Sequence, residues 1–105
     1  MTGANSKISA YEDNLWIQKY LDSRDTQYLG NLYERYKQKI FVHCLKKIKN
    51  VEEAKDLASE TFIKAFDKIE NFQPGSPFLP WLVRIASNLC IDHLRKSSRF
   101  RYQPI

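Results

Sequence analysis

Arg84, Asn88, Ile91 and Arg95 stand four, three and four residues apart. On a helix turning about 100° per residue that spacing gathers them on one face. Arginine offers a planar fork of N–H donors suited to phosphate or a base edge, and asparagine donates and accepts at once. Trp81 and Asp92 border this face. An indole there can stack on a base, worth roughly 1–3 kcal/mol where one docks, although a tryptophan in such a place is more often core. Asp92 is an awkward neighbour for phosphate and is placed to orient Arg84 or Arg95 instead. A second stripe, Asp56, Glu60, Ile63 and Asp67, has the same spacing and the opposite charge. It suits a basic, partly apolar partner helix, and equally a solvated face with one stray isoleucine.

Both stripes need helices to carry them. Leu82, Ile85, Ala86 and Leu89 give the first an apolar back. Its helix runs from about Phe78 or Pro80 to about Lys96, after the break "NFQPGS", with Ser76 and Pro77 as start signals. The acidic stripe belongs to a helix that Asn50 opens, with Glu53 three residues later completing a capping pattern. Val51, Ala54, Ala58, Phe62, Ala65 and Ile69 form its apolar side. Upstream, Leu29, Leu32, Tyr36, Ile40, Cys44 and Ile48 mark a helix over roughly Thr26 to Lys49. A shorter one starts at Ser9, capped with Glu12, shows Leu15, Trp16, Tyr20 and Leu21, and ends at "DSRD". Residues 1–10 read as a flexible tail and 11–97 as one helical domain. There is no strand pattern and no internal repeat. The fold class is all-α, a compact bundle of about four helices.

Composition agrees. A chain of 105 residues, 43% apolar and 28% charged, is one soluble globular domain with a single core. Three glycines and four prolines favour helices over sheets. No run approaches the roughly 18 apolar residues of a membrane span, and "MTGANSKISAYED" lacks a secretory apolar stretch. The expectation is a cytoplasmic protein with no membrane span. Cys44 and Cys90 lie inside apolar patterns and read as reduced core thiols. A zinc site from His43, Cys44, Cys90 and His93 is disfavoured, because adjacent helical residues point about 100° apart. No metal or cofactor is expected. With no glycine-rich phosphate loop, nucleophile elbow or HExxH pair, the chain does not read as an enzyme.

Charge is uneven around the net +5. Arg35, Lys37, Lys39, Lys46, Lys47 and Lys49 crowd the second helix, and Arg84, Arg95, Lys96, Arg99 and Arg101 the end of the chain. The helix between them is acidic. Solvated surfaces can look like this, so charge alone leaves nucleic-acid binding and a plain helical interaction module both open.

The segment "AKDLASETFIKAFDKIENFQPGSPFLPWLVRIASNLCIDHLRK" resembles region two of bacterial RNA polymerase sigma factors of the extracytoplasmic-function (ECF) type. "DNLWIQKYLDSRDTQYLGNLYERYKQKIF" is similar to that family's opening helices, so the resemblance covers about Asp13 to Arg99. "DLASETF", "WLVRIASN" and "IDHLRK" occur in order with family-like separations, which is far more specific than any one alone. The resemblance implies a transcription initiation factor whose domain docks on the clamp helices of the largest subunit of core RNA polymerase. It implies capture of the non-template strand of the minus-ten promoter DNA, and an anti-sigma factor as a further partner. The polymerase contact falls on Asp56 and Glu60 with Ser59 and Ile63 beside them. The DNA contact falls on Arg84, Asn88, Ile91, Asp92, Arg95 and Lys96. Phe72, Gln73 and Ser76 lie in the loop that shapes a pocket for an extruded base. Ser59 stands where the family usually has glutamine and Leu79 where a basic residue is common, and the tandem aromatics of housekeeping sigma factors are missing. On this reading residues 98–105 begin a linker and the chain is a fragment lacking the family's second DNA-binding domain. The runner-up is a helical interaction module that binds nucleic acid without sequence preference.

Overall fold

Asn50 shows how the helices are punctuated. Its backbone is extended (φ −139°, ψ 122°) and its side chain accepts a hydrogen bond from the Glu53 N–H at 3.0 Å. That satisfies one of the otherwise unpaired donors of a helix start. The Glu53 carboxylate does not complete the reciprocal box; it turns toward His93, 3.2 Å away. Immediately upstream Lys49 takes the left-handed conformation (φ 61°) and its N–H returns to the Leu45 carbonyl at 2.8 Å, closing the preceding helix.

The structure is a computed structural model that describes the backbone of residues 2–102 and the side chains of residues 8–97. Four helices follow in order: α1 (Thr2–Ser23), α2 (Gln27–Ile48), α3 (Val51–Asp67) and α4 (Phe78–Tyr102), with a 3₁₀ turn at Ile69–Asn71. Between α1 and α2, Arg24 adopts φ 62°, and the Asp25 carboxylate accepts from the Gln27 N–H at 3.0 Å. The central helix is α2, which packs on each of the other three. Its Leu32, Ile40 and Cys44 are fully buried, as are Ala54 and Ala65 of α3 and Leu82, Ala86 and Cys90 of α4. A fully buried leucine or isoleucine contributes roughly 1.5–3 kcal/mol, so Leu32, Ile40 and Leu82 each add a substantial share to the cohesion of this seam.

Three expectations change. The backbone of α1 is helical from Thr2, so the stretch read as a tail is largely helix and Ser9 lies inside it rather than capping it; no strong breaker lies between Ala4 and Glu12. Leu15 and Val51, expected in the core, are 39% and 50% exposed, because Ile17 and Leu57 take the inward positions on their helices. The fourth helix continues past Lys96 to Tyr102, since the next breaker in the sequence is Pro104. Among the described residues no helix is long and apolar enough to cross a membrane.

Candidate functional site

The α4 stripe is real as a surface. Arg84, Asn88, Ile91, Asp92, Arg95 and Lys96 are all exposed, while Leu82, Ala86 and Leu89 behind them are buried. None of Arg84, Arg95, Lys96 and Asp92 has an ion-pair partner among the described residues. Asp92 therefore does not hold Arg84 or Arg95, contrary to expectation, and both guanidinium groups face solvent.

The loop that leads into α4 is built from below by aromatic packing. Phe72 is 3% exposed, and its ring meets Phe78 at 5.8 Å and Trp81 at 5.2 Å, both edge-on. Phe72 thus lies beneath the loop and supports it, while Gln73 is exposed and Ser76 half-buried. Trp81 is half-buried in the same cluster, so it is principally packing rather than an open stacking surface.

Above this cluster α1 grips the loop. The Asn14 side-chain amide donates to the Ser76 carbonyl at 3.1 Å and to the Ala10 carbonyl at 3.1 Å, and its carbonyl accepts from the Gly75 N–H at 2.9 Å. A backbone N–H can only donate and a carbonyl only accept, so the amide orientation is fixed by its partners. Gly75 sits at φ +88°, a conformation that glycine takes without strain, and the Ser76 N–H closes back onto the Gln73 carbonyl at 3.1 Å.

α1 is itself anchored by a buried network. Asp13 is 1% exposed, accepts from the Tyr36 hydroxyl, and meets Arg35 Nη1 at 3.0 Å. Arg35 also bonds Glu12 at 2.6 Å and the Ser9 carbonyl at 3.3 Å, and lies 4.4 Å over the Trp16 ring. Burial holds the Asp13 carboxyl above the usual carboxylate range despite its bonds to Tyr36 and Arg35. Arg35, one of the basic residues that crowd α2 in the sequence, is consumed internally. Lys37 pairs with Glu34 at 2.8 Å, whereas Lys39, Lys46, Lys47 and Lys49 are exposed.

On α3, Asp56, Ser59, Glu60 and Ile63 are exposed together, Ile63 by 63%. Asp56 and Glu60 have no ion-pair partner among the described residues. Ser59 also lines a groove of about 420 Å³ between α2 and α3, with Tyr33, Phe41 and Phe62. The four residues once weighed as a metal site do other work. His43 Nε2 is hydrogen-bonded to Ser87 Oγ at 2.9 Å, and burial with the nearby Lys47 and Lys46 pushes its pKa below the ordinary value. The Cys44 thiol, buried beside Cys90, is pushed up to about 12, so it stays protonated at neutral pH.

Asn14, Asp13 and Arg35 were not singled out as a unit from the sequence. The available signal was an asparagine and an aspartate inside a helix, types that normally avoid helix interiors unless a side-chain bond holds them.

A family model described as Sigma-70 region 2 matches residues 32–100. The ECF RNA polymerase sigma factor SigW of Bacillus subtilis is 40% identical over 78 residues, 74% of this chain and 42% of that protein. The ECF RNA polymerase sigma factor BldN of Streptomyces coelicolor is 41% identical over 75 residues, 70% of this chain and 28% of that protein. The ECF RNA polymerase sigma factor SigE of Mycolicibacterium smegmatis is 43% identical over 56 residues, 53% of this chain and 21% of that protein. In each case the match spans less than half the relative's length.

Proposed function

This chain belongs to the Sigma-70 region 2 family, and we propose that it works in transcription initiation as the polymerase-docking and minus-ten-reading part of an ECF-type sigma factor. The observation that carries the proposal is the exposed α4 face. Arg84, Asn88, Ile91 and Arg95 lie open along it, with Asp92 and Lys96 beside them, and the aromatic-supported loop of Phe72, Gln73 and Ser76 adjoins its first turn. Phosphate contacts from Arg84, Arg95 and Lys96 fix the register of a single strand, and Asn88 with the loop reads base edges. Asp56, Ser59, Glu60 and Ile63 present an acidic, partly apolar strip that complements a basic helical partner, here the clamp helices of core RNA polymerase. An anti-sigma factor acts on this reading by covering one of the two surfaces.

The DNA half is tested with single-stranded non-template oligonucleotides. Arg84→Ala weakens binding to all sequences alike and lowers the salt slope by about 0.7, the single-strand value for one phosphate contact. Asn88→Ala changes which sequence is preferred more than overall affinity. Equal binding of all sequences by the unaltered chain, with no association with polymerase, identifies a non-specific interaction module instead.

A further inference from the structure

α2 and α4 lie side by side and run in the same direction. Tyr36 meets Phe78 with ring centroids 5.8 Å apart, His43 Nε2 meets Ser87 Oγ at 2.9 Å, and Cys44 lies against Cys90. Ser87 borders the open α4 face of Arg84, Asn88, Ile91 and Arg95, about 140° round the helix from Asp92. Along the adjoining edge of α2, Lys39, His43 and Lys46 follow at steps of four and three, with Lys47 next to them. All three lysines are exposed, and none has an ion-pair partner among the described residues. Burial and then the charges of Lys47 and Lys46 hold His43 below its ordinary pKa, so these cations act on the α2–α4 seam itself.

Two cationic rows therefore run in parallel: Arg84, Arg95 and Lys96 on α4, and Lys39, Lys46 and Lys47 on α2. Packed helices have axes about 8–10 Å apart. That lies between the widths of the two grooves of B-DNA, about 6 and 12 Å. A single strand has one backbone and satisfies one row, whereas a duplex presents two backbones separated by a groove of that width. Lys39 to Lys47 covers about 12 Å of helix, matching three or four phosphates of one strand at a spacing of about 3.4 Å.

We propose that the α2 row is a second phosphate rail, which holds closed DNA duplex flanking the single strand read by α4. The inference rests on the promoter-reading proposal and adds to it a second helix and a second form of DNA.

The test uses the whole chain and a single-stranded DNA selected for tight binding to it. The same strand is also offered with its upstream or its downstream flank paired into duplex. Lys39→Gln/Lys46→Gln/Lys47→Gln lowers the salt slope on one of these forked DNAs by about 2–3, at about 0.9 per duplex phosphate, and weakens binding to it roughly 10-fold or more. Binding to the single strand changes little. Lys55→Gln/Lys64→Gln/Lys68→Gln removes the same net charge from α3 and leaves both slopes as they were. Melting curves establish that each variant is folded. An unchanged slope on both forked DNAs overturns the rail. Equal losses on single-stranded and forked DNA overturn it too, as does an equal effect of the α3 variant. If the unaltered chain shows no preference among single strands, the promoter reading fails separately; the rail then stands or falls on whether the α2 variant alone lowers the slope on plain duplex.

Discussion

Replacing Asp13 with alanine probes the anchor that holds α1, and with it Asn14, against the rest of the molecule. The carboxylate is 1% exposed and satisfies the buried Tyr36 hydroxyl and one nitrogen of Arg35. Losing it strands the Tyr36 hydroxyl, a penalty of about 1–3 kcal/mol for a buried polar group. Arg35 suffers less, because it keeps Glu12, the Ser9 carbonyl and the Trp16 ring. The expected cost is thus about 2–3 kcal/mol, below the 3–5 kcal/mol typical when a buried charge loses its only partner. At roughly 4–8 °C per kcal/mol for a domain this size, Tm falls by on the order of 10–20 °C. Asp13→Asn keeps an acceptor for Tyr36 and costs about 1 kcal/mol. The pH dependence carries a sign. Burial raises the folded-state pKa above the ordinary 3.8, so the carboxyl's contribution is full below 3.8 and is lost as pH rises through the folded value. The penalty of Asp13→Asn relative to the unaltered chain therefore shrinks as pH rises through that window. Urea titrations at matched pH values measure both effects. A change under 0.5 kcal/mol for Asp13→Ala, or an Asn penalty that grows with pH, refutes the reasoning.

Asn50→Ala removes the side-chain acceptor of the Glu53 N–H and lowers stability by about 1 kcal/mol in urea titrations; an unchanged midpoint means that the cap bond contributes nothing. His43 titrates in the opposite sense to Asp13. Its pKa is depressed below 6.5, chiefly by burial, so its contribution is present above 6.5 and lost as pH falls through the folded value. His43→Gln removes that slope, and parallel pH–stability curves for the two proteins contradict the burial argument.

Much of the architecture was readable because the punctuation is local. Asn50 and the "QPGS" break bracket α3 and α4, and the three-and-four spacing of Leu29 through Cys44 fixes the buried side of α2 within a turn of its observed ends. The exposed stripes of α3 and α4 follow from the same periodicity. What escaped is the contact that crosses the chain. Asn14 meets Gly75 and Ser76 across 61 and 62 residues, and no single sequence signals which distant backbone an asparagine will find. The pairing of Arg35 was hidden for a related reason: a helix wheel assigns a face but cannot show that Glu12 and Asp13 of another helix wait there. Phe72, read as a loop residue, is buried beneath the loop, because Phe78 and Trp81 one turn apart on α4 give its ring somewhere to pack.

The polymerase contact is the most direct point of attack. Binding of the whole chain to core RNA polymerase is compared with that of Asp56→Lys/Glu60→Lys, two exposed positions with no ion-pair partner to lose among the described residues. Tight binding by the unaltered chain that the folded double variant loses, by roughly 100-fold or more as complementary charge becomes repulsion, is the predicted result. Equal binding by both proteins, or none by a well-folded unaltered chain, contradicts the polymerase-docking role of α3.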